Sequence, residues 1–304
     1  MRATIPNSLD TFIRPGSHSL KPVARMRNRF KLVLIVIVLG CAAIAIPAAA
    51  QTVSPQFDLS RSRTELLRKI NRRISDISTV PFESSLVHAY GQEHRYGYKL
   101  NVEPVIPFSL GQDWLVLTRF DVPVVYKEQV SSGTSLGLAD TKLTFLFATE
   151  KPRDGWMWGF GQLWLIPTAT RTDLGSDKWG AGLTSSLVHE GENWTVGARL
   201  DHVWSFAGTG TNSLNDSFLN PWITRAWENG VTLKLESETT YKWSDTELSV
   251  PVEFGASKLL MSGNVPLSIG GDVMYWAKRA PNDPQWGLKF TLNLIFSKTK
   301  TTTQ

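Results

Sequence analysis

Few residues in this chain have the type and spacing for covalent chemistry. The best-placed base and nucleophile are His202 and Ser205, in the run Asp201-His202-Val203-Trp204-Ser205. In an extended chain successive side chains alternate faces, so residues three apart point to opposite sides. A base must reach the nucleophile's proton to activate it. Asp201 also alternates away from His202, which is then expected to be an interfacial polar residue beside Trp204. His88, His94 and His189 show neither His-x-His nor His-x3-His spacing, so a metal site is not expected. Asp173, Asp177 and Asp216 fall in stretches read as loops; they could bind divalent cations or lipopolysaccharide-associated ions, but solvated charge is the leading reading. The sole cysteine, Cys41, lies before residue 51, so the remainder has no disulfide frame and no thiolate site. No cofactor is called for.

The other candidates are charges on the polar side of alternating segments: Glu103, Arg119, Asp121, Asp140, Lys142, Arg199, Asp201, Lys234, Glu236, Glu238, Lys242, Glu253 and Lys289. Mixed signs on neighbouring strands can form an ion-pair network that fills an interior. They can equally line a narrow polar path and tune its selectivity. Both readings stay open at this point.

The elements that must hold these charges are long strands. Val231 to Trp243 places Val231, Leu233, Leu235, Ser237, Thr239, Tyr241 and Trp243 on one face, against Thr232, Lys234, Glu236, Glu238, Thr240 and Lys242 on the other. Tyr96–Leu110, Trp114–Tyr126 and Trp286–Phe296 alternate in the same way. From Trp286 to Phe296 the strand spans about 33 Å, or about 25 Å along the normal at the tilt of a membrane barrel. Soluble strands are usually shorter, about 5–6 residues. Twelve strands are expected, at 78–90, 95–110, 113–126, 136–149, 155–168, 179–190, 193–206, 215–227, 230–243, 246–260, 264–276 and 285–296. Tight connections (Gly111-Gln112, Gly191-Glu192, Glu228-Asn229-Gly230, Ser262-Gly263) alternate with long ones (Lys127–Ser135, Ala169–Lys178, Ala207–Leu214, Ala277–Pro284), as periplasmic turns and outer loops do. Glu150–Asp154 and Ser244-Asp245 fit that alternation less well. Pro104, Pro107, Pro123, Pro251 and Pro266 fall inside strands and are expected at bulges or strand ends. The twelve Trp suit rings placed at both lipid interfaces.

The leader agrees. Met26–Lys31 is a basic n-region, Leu32–Leu39 an apolar core, and Pro47-Ala48-Ala49-Ala50 a cleavage site before Gln51. Residues 1–25 are a disordered extension or a mis-called start. Val38-Leu39-Gly40-Cys41 is a poor lipobox, because the chain stays apolar after it. Of the 32 basic and 27 acidic residues, the first fifty hold seven and one, so residues 51–304 are near neutral. The chain's basicity is then no argument for nucleic acid. Within 51–77, Leu66, Ile70, Ile74 and Ile77 recur at helical spacing among Arg68, Lys69, Arg72 and Arg73, as an amphipathic helix or a linker. The expected fold is all-β: an antiparallel transmembrane barrel over 78–296, preceded by a signal peptide and a short amphipathic helix, with a polar tail over 297–304.

Val105-Ile106-Pro107-Phe108-Ser109, Leu165-Ile166-Pro167-Thr168-Ala169-Thr170, Lys178-Trp179-Gly180-Ala181-Gly182, His202-Val203-Trp204-Ser205-Phe206-Ala207-Gly208 and Pro284-Gln285-Trp286-Gly287-Leu288 occur in this order. As a set they resemble bacterial outer-membrane proteins labelled "transporter" or "neuromedin U". Those are related to the barrel family associated with meta-pathway phenol degradation. The resemblance spans residues 76–297. It implies a Gram-negative outer-membrane barrel with a channel role for a small-molecule solute, and it names no substrate. The partners it implies are outer-membrane lipids, lipopolysaccharide and the barrel-assembly machinery. The terminal aromatic of the assembly signal, Phe296, is followed here by Ser297–Gln304. A non-enzymatic channel is the leading reading. A lipid-active hydrolase, and a structural or adhesion barrel acting through its outer loops, are the alternatives.

Overall fold

The computed structural model describes residues 77–90, 95–129, 133–210, 213–262, 265–281 and 283–297. The expected extension, the expected signal peptide, the possible helix up to residue 76 and the tail from 298 lie outside the described residues. Ile77, the last apolar position of that helical pattern, instead opens the first strand.

Alternation at period two yields strands throughout. They are β1 (Ile77–Tyr90), β2 (Arg95–Val102), β3 (Val105–Leu110), β4 (Trp114–Gln129), β5 (Gly133–Leu138), β6 (Thr141–Thr149), β7 (Trp156–Ile166), β8 (Lys178–Glu190), β9 (Trp194–Gly208), β10 (Asn215–Ala226), β11 (Val231–Ser237), β12 (Thr239–Lys242), β13 (Glu247–Ser262), β14 (Val265–Lys278) and β15 (Trp286–Ser297). β2 and β3 continue one line, as do β5 and β6, and β11 and β12, so the segments make twelve staves. β1 pairs antiparallel with β15 from Ile77↔Ser297 to His88↔Trp286, which closes the sheet into a barrel. No helix among the described residues is long and apolar enough to cross a membrane. A closed ladder crosses with strands, because each backbone group finds its partner next door.

The polarity is inside-out. Along β7, Trp156, Trp158, Phe160 and Trp164 are exposed, while Met157, Leu163 and Leu165 are buried. Glu253, Lys289, Asp272 and Asp201 are buried too. Large apolar side chains facing out and charges facing in is the pattern of a wall solvated by lipid.

The three breaks in the staves have one cause. Proline lacks an N–H, so the strand beside it loses a ladder bond. Pro81 faces the break at Glu103-Pro104, where Glu103 N–H donates to the Pro81 carbonyl at 2.9 Å. Pro123 faces Ala139-Asp140, between the pairs Val124↔Leu138 and Asp121↔Lys142. Pro221 faces Ser237-Glu238, between Leu219↔Thr239 and Trp222↔Glu236. The second break holds one residue more than its partner strand, which makes it a bulge. Pro251 sits at a register shift, as expected for a proline within a strand. Pro107 lies beyond the single β1–β3 pair, Thr79↔Val105.

By loop length, the ends of β3, β6, β8, β10 and β13 face the periplasm. The outer loop expected over Lys127–Ser135 is largely strand, since β4 and β5 pair as far as Gln129↔Gly133. Asp216, expected in a loop, is the second residue of β10.

Candidate functional site

The inward charges form two groups on the two halves of the wall. The first is centred on Lys289 of β15. Its ammonium lies 2.7 Å from Glu253 Oε2 of β13, 3.2 Å from Glu238 Oε1 at the β11–β12 break, and 3.9 Å from Glu83 Oε2 of β1. Lys234 of β11 bridges Glu236 on its own strand and Asp272 of β14, the latter at 3.2 Å. Register explains the gathering: Glu236 lies opposite Glu253, and Asp272 opposite Lys289. Carboxylate oxygens of Glu236, Glu238 and Glu253 lie within 4.8 Å of one another, a spacing that could hold a cation. The ammonium groups of Lys234 and Lys289 already occupy that role.

The second group lies on β2, β4, β6, β8, β9 and β10. Arg119 pairs with Asp121 at 3.4 Å, and Arg199 with Asp201 at 3.3 Å. Asp201 also accepts a 2.6 Å hydrogen bond from Thr184. Glu103 accepts one from the Asn101 amide. Phe218 is an inward aromatic ring between two cations, Arg199 at 4.9 Å and Lys142 at 5.7 Å. Lys142 stands on β6 and Phe218 on β10, four staves around the ring, so this contact crosses the lumen.

Two predicted residues sit apart. Asp140, at the β5–β6 bulge, accepts from Ser176 N and Oγ, both at 2.7 Å, and from Ala169 N at 3.3 Å. It ties the outer loop 167–177 to the wall. Thr170 extends the β5 edge: its N–H donates to Leu138 O, and its Oγ1 accepts from Leu138 N–H. Leu174 packs over Gly137, where an added Cβ would meet Thr170 Oγ1 at 2.2 Å. Gly137 faces away from exposed Leu136 and Leu138, so the loop folds over the inner face of β5. Within that loop the Ser135 hydroxyl and Arg171 hold the Asp173 carboxyl below its ordinary range. Lys242 pairs with Glu247 at 3.5 Å on the outer rim.

Glu83, Asp272, Asn101, Thr184 and Phe218 were not among the sequence candidates. Glu83 and Asp272 have the inward parity of strands that were anticipated, so alternation alone could have found them. On the outer face, His202 does not meet Ser205, whose hydroxyl accepts from Leu214 N at 2.9 Å. Instead His202 Nδ1 lies 2.7 Å from Ser217 Oγ, its register partner on β10.

No family model matches the chain, and no curated protein matches it. Among solved structures it is similar to an outer membrane channel from Pseudomonas putida F1, at 16% identity and a TM-score of 0.57, over 72% of this chain and 94% of that one. It is also similar to the outer membrane phospholipase of Salmonella typhi, at 11% identity and a TM-score of 0.42, over 71% and 90% of the two chains. A porin aligns at 8% identity and a TM-score of 0.36, over 72% and 99%. At these identities the likeness is one of fold. The chain folds as a closed β-barrel of twelve antiparallel staves, the fold of an outer-membrane channel. The narrower "neuromedin U" label finds no support in these comparisons.

Proposed function

We propose that the barrel is a narrow channel for small, polar or charged solutes, with its interior charges setting selectivity. The observation that carries this reading is the Lys142–Phe218 contact across the lumen. It marks a constriction built from side chains rather than backbone, and no ion pair among the described residues holds Lys142. Charges at such a point act on a passing solute where the aqueous path is thinnest. The likeness to a channel supports the reading at the level of fold. Insertion would use the barrel-assembly machinery, with lipids and lipopolysaccharide around the aromatic face.

Reconstitution in planar bilayers tests it. Small, steady conductance steps are expected, and Lys142→Glu should shift the reversal potential toward cation preference. No conductance together with no solute flux into liposomes would overturn the channel.

A further inference from the structure

On the outer wall, we infer that Ser217 and His202 form a nucleophile–base pair that hydrolyses long-chain acyl esters of outer-membrane lipids. The inference does not rest on the channel reading, because these side chains face away from the lumen.

The donor inventory admits one productive protonation pattern. Trp243 Nε1–H donates to Ser217 Oγ at 2.9 Å, and an indole nitrogen can only donate. Ser217 accepts from Trp243 and keeps its own hydroxyl proton to donate to His202 Nδ1, 2.7 Å away, in the tautomer that carries its proton on Nε2. In that tautomer the pair is an activated serine: proton aimed at a base, oxygen open on its remaining side. The His202 ring is steadied edge-on by Trp204, with centroids 4.2 Å apart.

Depth matches the chemistry. Exposed Leu183 and Leu200 lie on the lipid side of the pair, and exposed Trp204, Phe206 and Trp243 lie around its outer end. Such rings mark the interface between acyl chains and headgroups, the level at which lipid ester carbonyls lie. In the reaction Ser217 Oγ bonds to the ester carbonyl carbon while its proton passes to His202 Nδ1. Collapse breaks the bond to the lipid alcohol, which leaves with that proton. Water then attacks the acyl-serine by the same route and releases the fatty acid.

The test uses the purified full-length protein, with its folded form verified by heat-modifiable gel mobility. Phosphatidylethanolamine vesicles and lipopolysaccharide are offered separately, and fatty-acid release is followed. A fluorophosphonate probe is mapped in parallel by peptide mass spectrometry. Expected are release from at least one lipid and labelling at Ser217. Ser217→Ala and His202→Ala should lower release about 100-fold or more, while bilayer conductance stays unchanged. Release from one lipid alone identifies the source of the ester. A folded protein that releases no fatty acid and leaves Ser217 unlabelled would overturn the inference.

Discussion

Lys289 carries more of the interior than any other single side chain described. The residue is 6% exposed, and its ammonium meets carboxylates from three other staves. Replacing a buried ion-pair partner leaves the other charge uncompensated, at a cost of about 3–5 kcal/mol. Lys289→Met should lower stability by that order, read as the urea midpoint of tryptophan fluorescence in vesicles. The double variant Lys289→Met/Glu253→Gln should recover part of the loss, because it removes one of the stranded charges. The inward side of these charges is legible in sequence, since parity on a strand is local. Which carboxylate meets which ammonium is not, because Glu83 and Lys289 become neighbours only when the two ends of the barrel meet. His202 shows the same limit. Its partner lies fifteen residues away on the next strand, where no spacing rule along one strand would find it.

At the scale of elements, the three breaks share a device. In each, a proline on one strand faces a gap on the next, and the gap holds a carboxylate: Glu103, Asp140 or Glu238. Freed from the ladder, these residues reach Asn101, the loop 167–177 and Lys289 respectively. The twelve staves themselves are readable from alternation, because strand length and face repeat locally. The pairing of each proline with its gap is not, since Pro123 and Asp140 belong to different strands. Asp140→Ala removes the acceptor of three hydrogen bonds and should free the loop. The expected result is faster tryptic cleavage after Arg171 in the folded protein, with the barrel core still protected. Gly137→Ala should act likewise by steric displacement, since its Cβ has no room beside Thr170.

At the scale of the whole molecule, the β1–β15 seam makes a cylinder out of a sheet. Leu86 lies opposite Leu288 across that seam, and residues 51–304 contain no cysteine. The variant Leu86→Cys/Leu288→Cys should therefore form one disulfide on oxidation, seen as changed mobility on non-reducing gels. Failure to cross-link in the folded protein would mean the seam is not paired in this register. The inside-out wall has a further result. Hydrocarbon outside and a thin polar column within form a sleeve of low permittivity around the charges. Field lines then run along the axis rather than leaking sideways. Within such a sleeve each interior charge is felt over much of the barrel's length. What an ion meets on entering is thus the summed potential of both charge groups, well before it touches any one side chain.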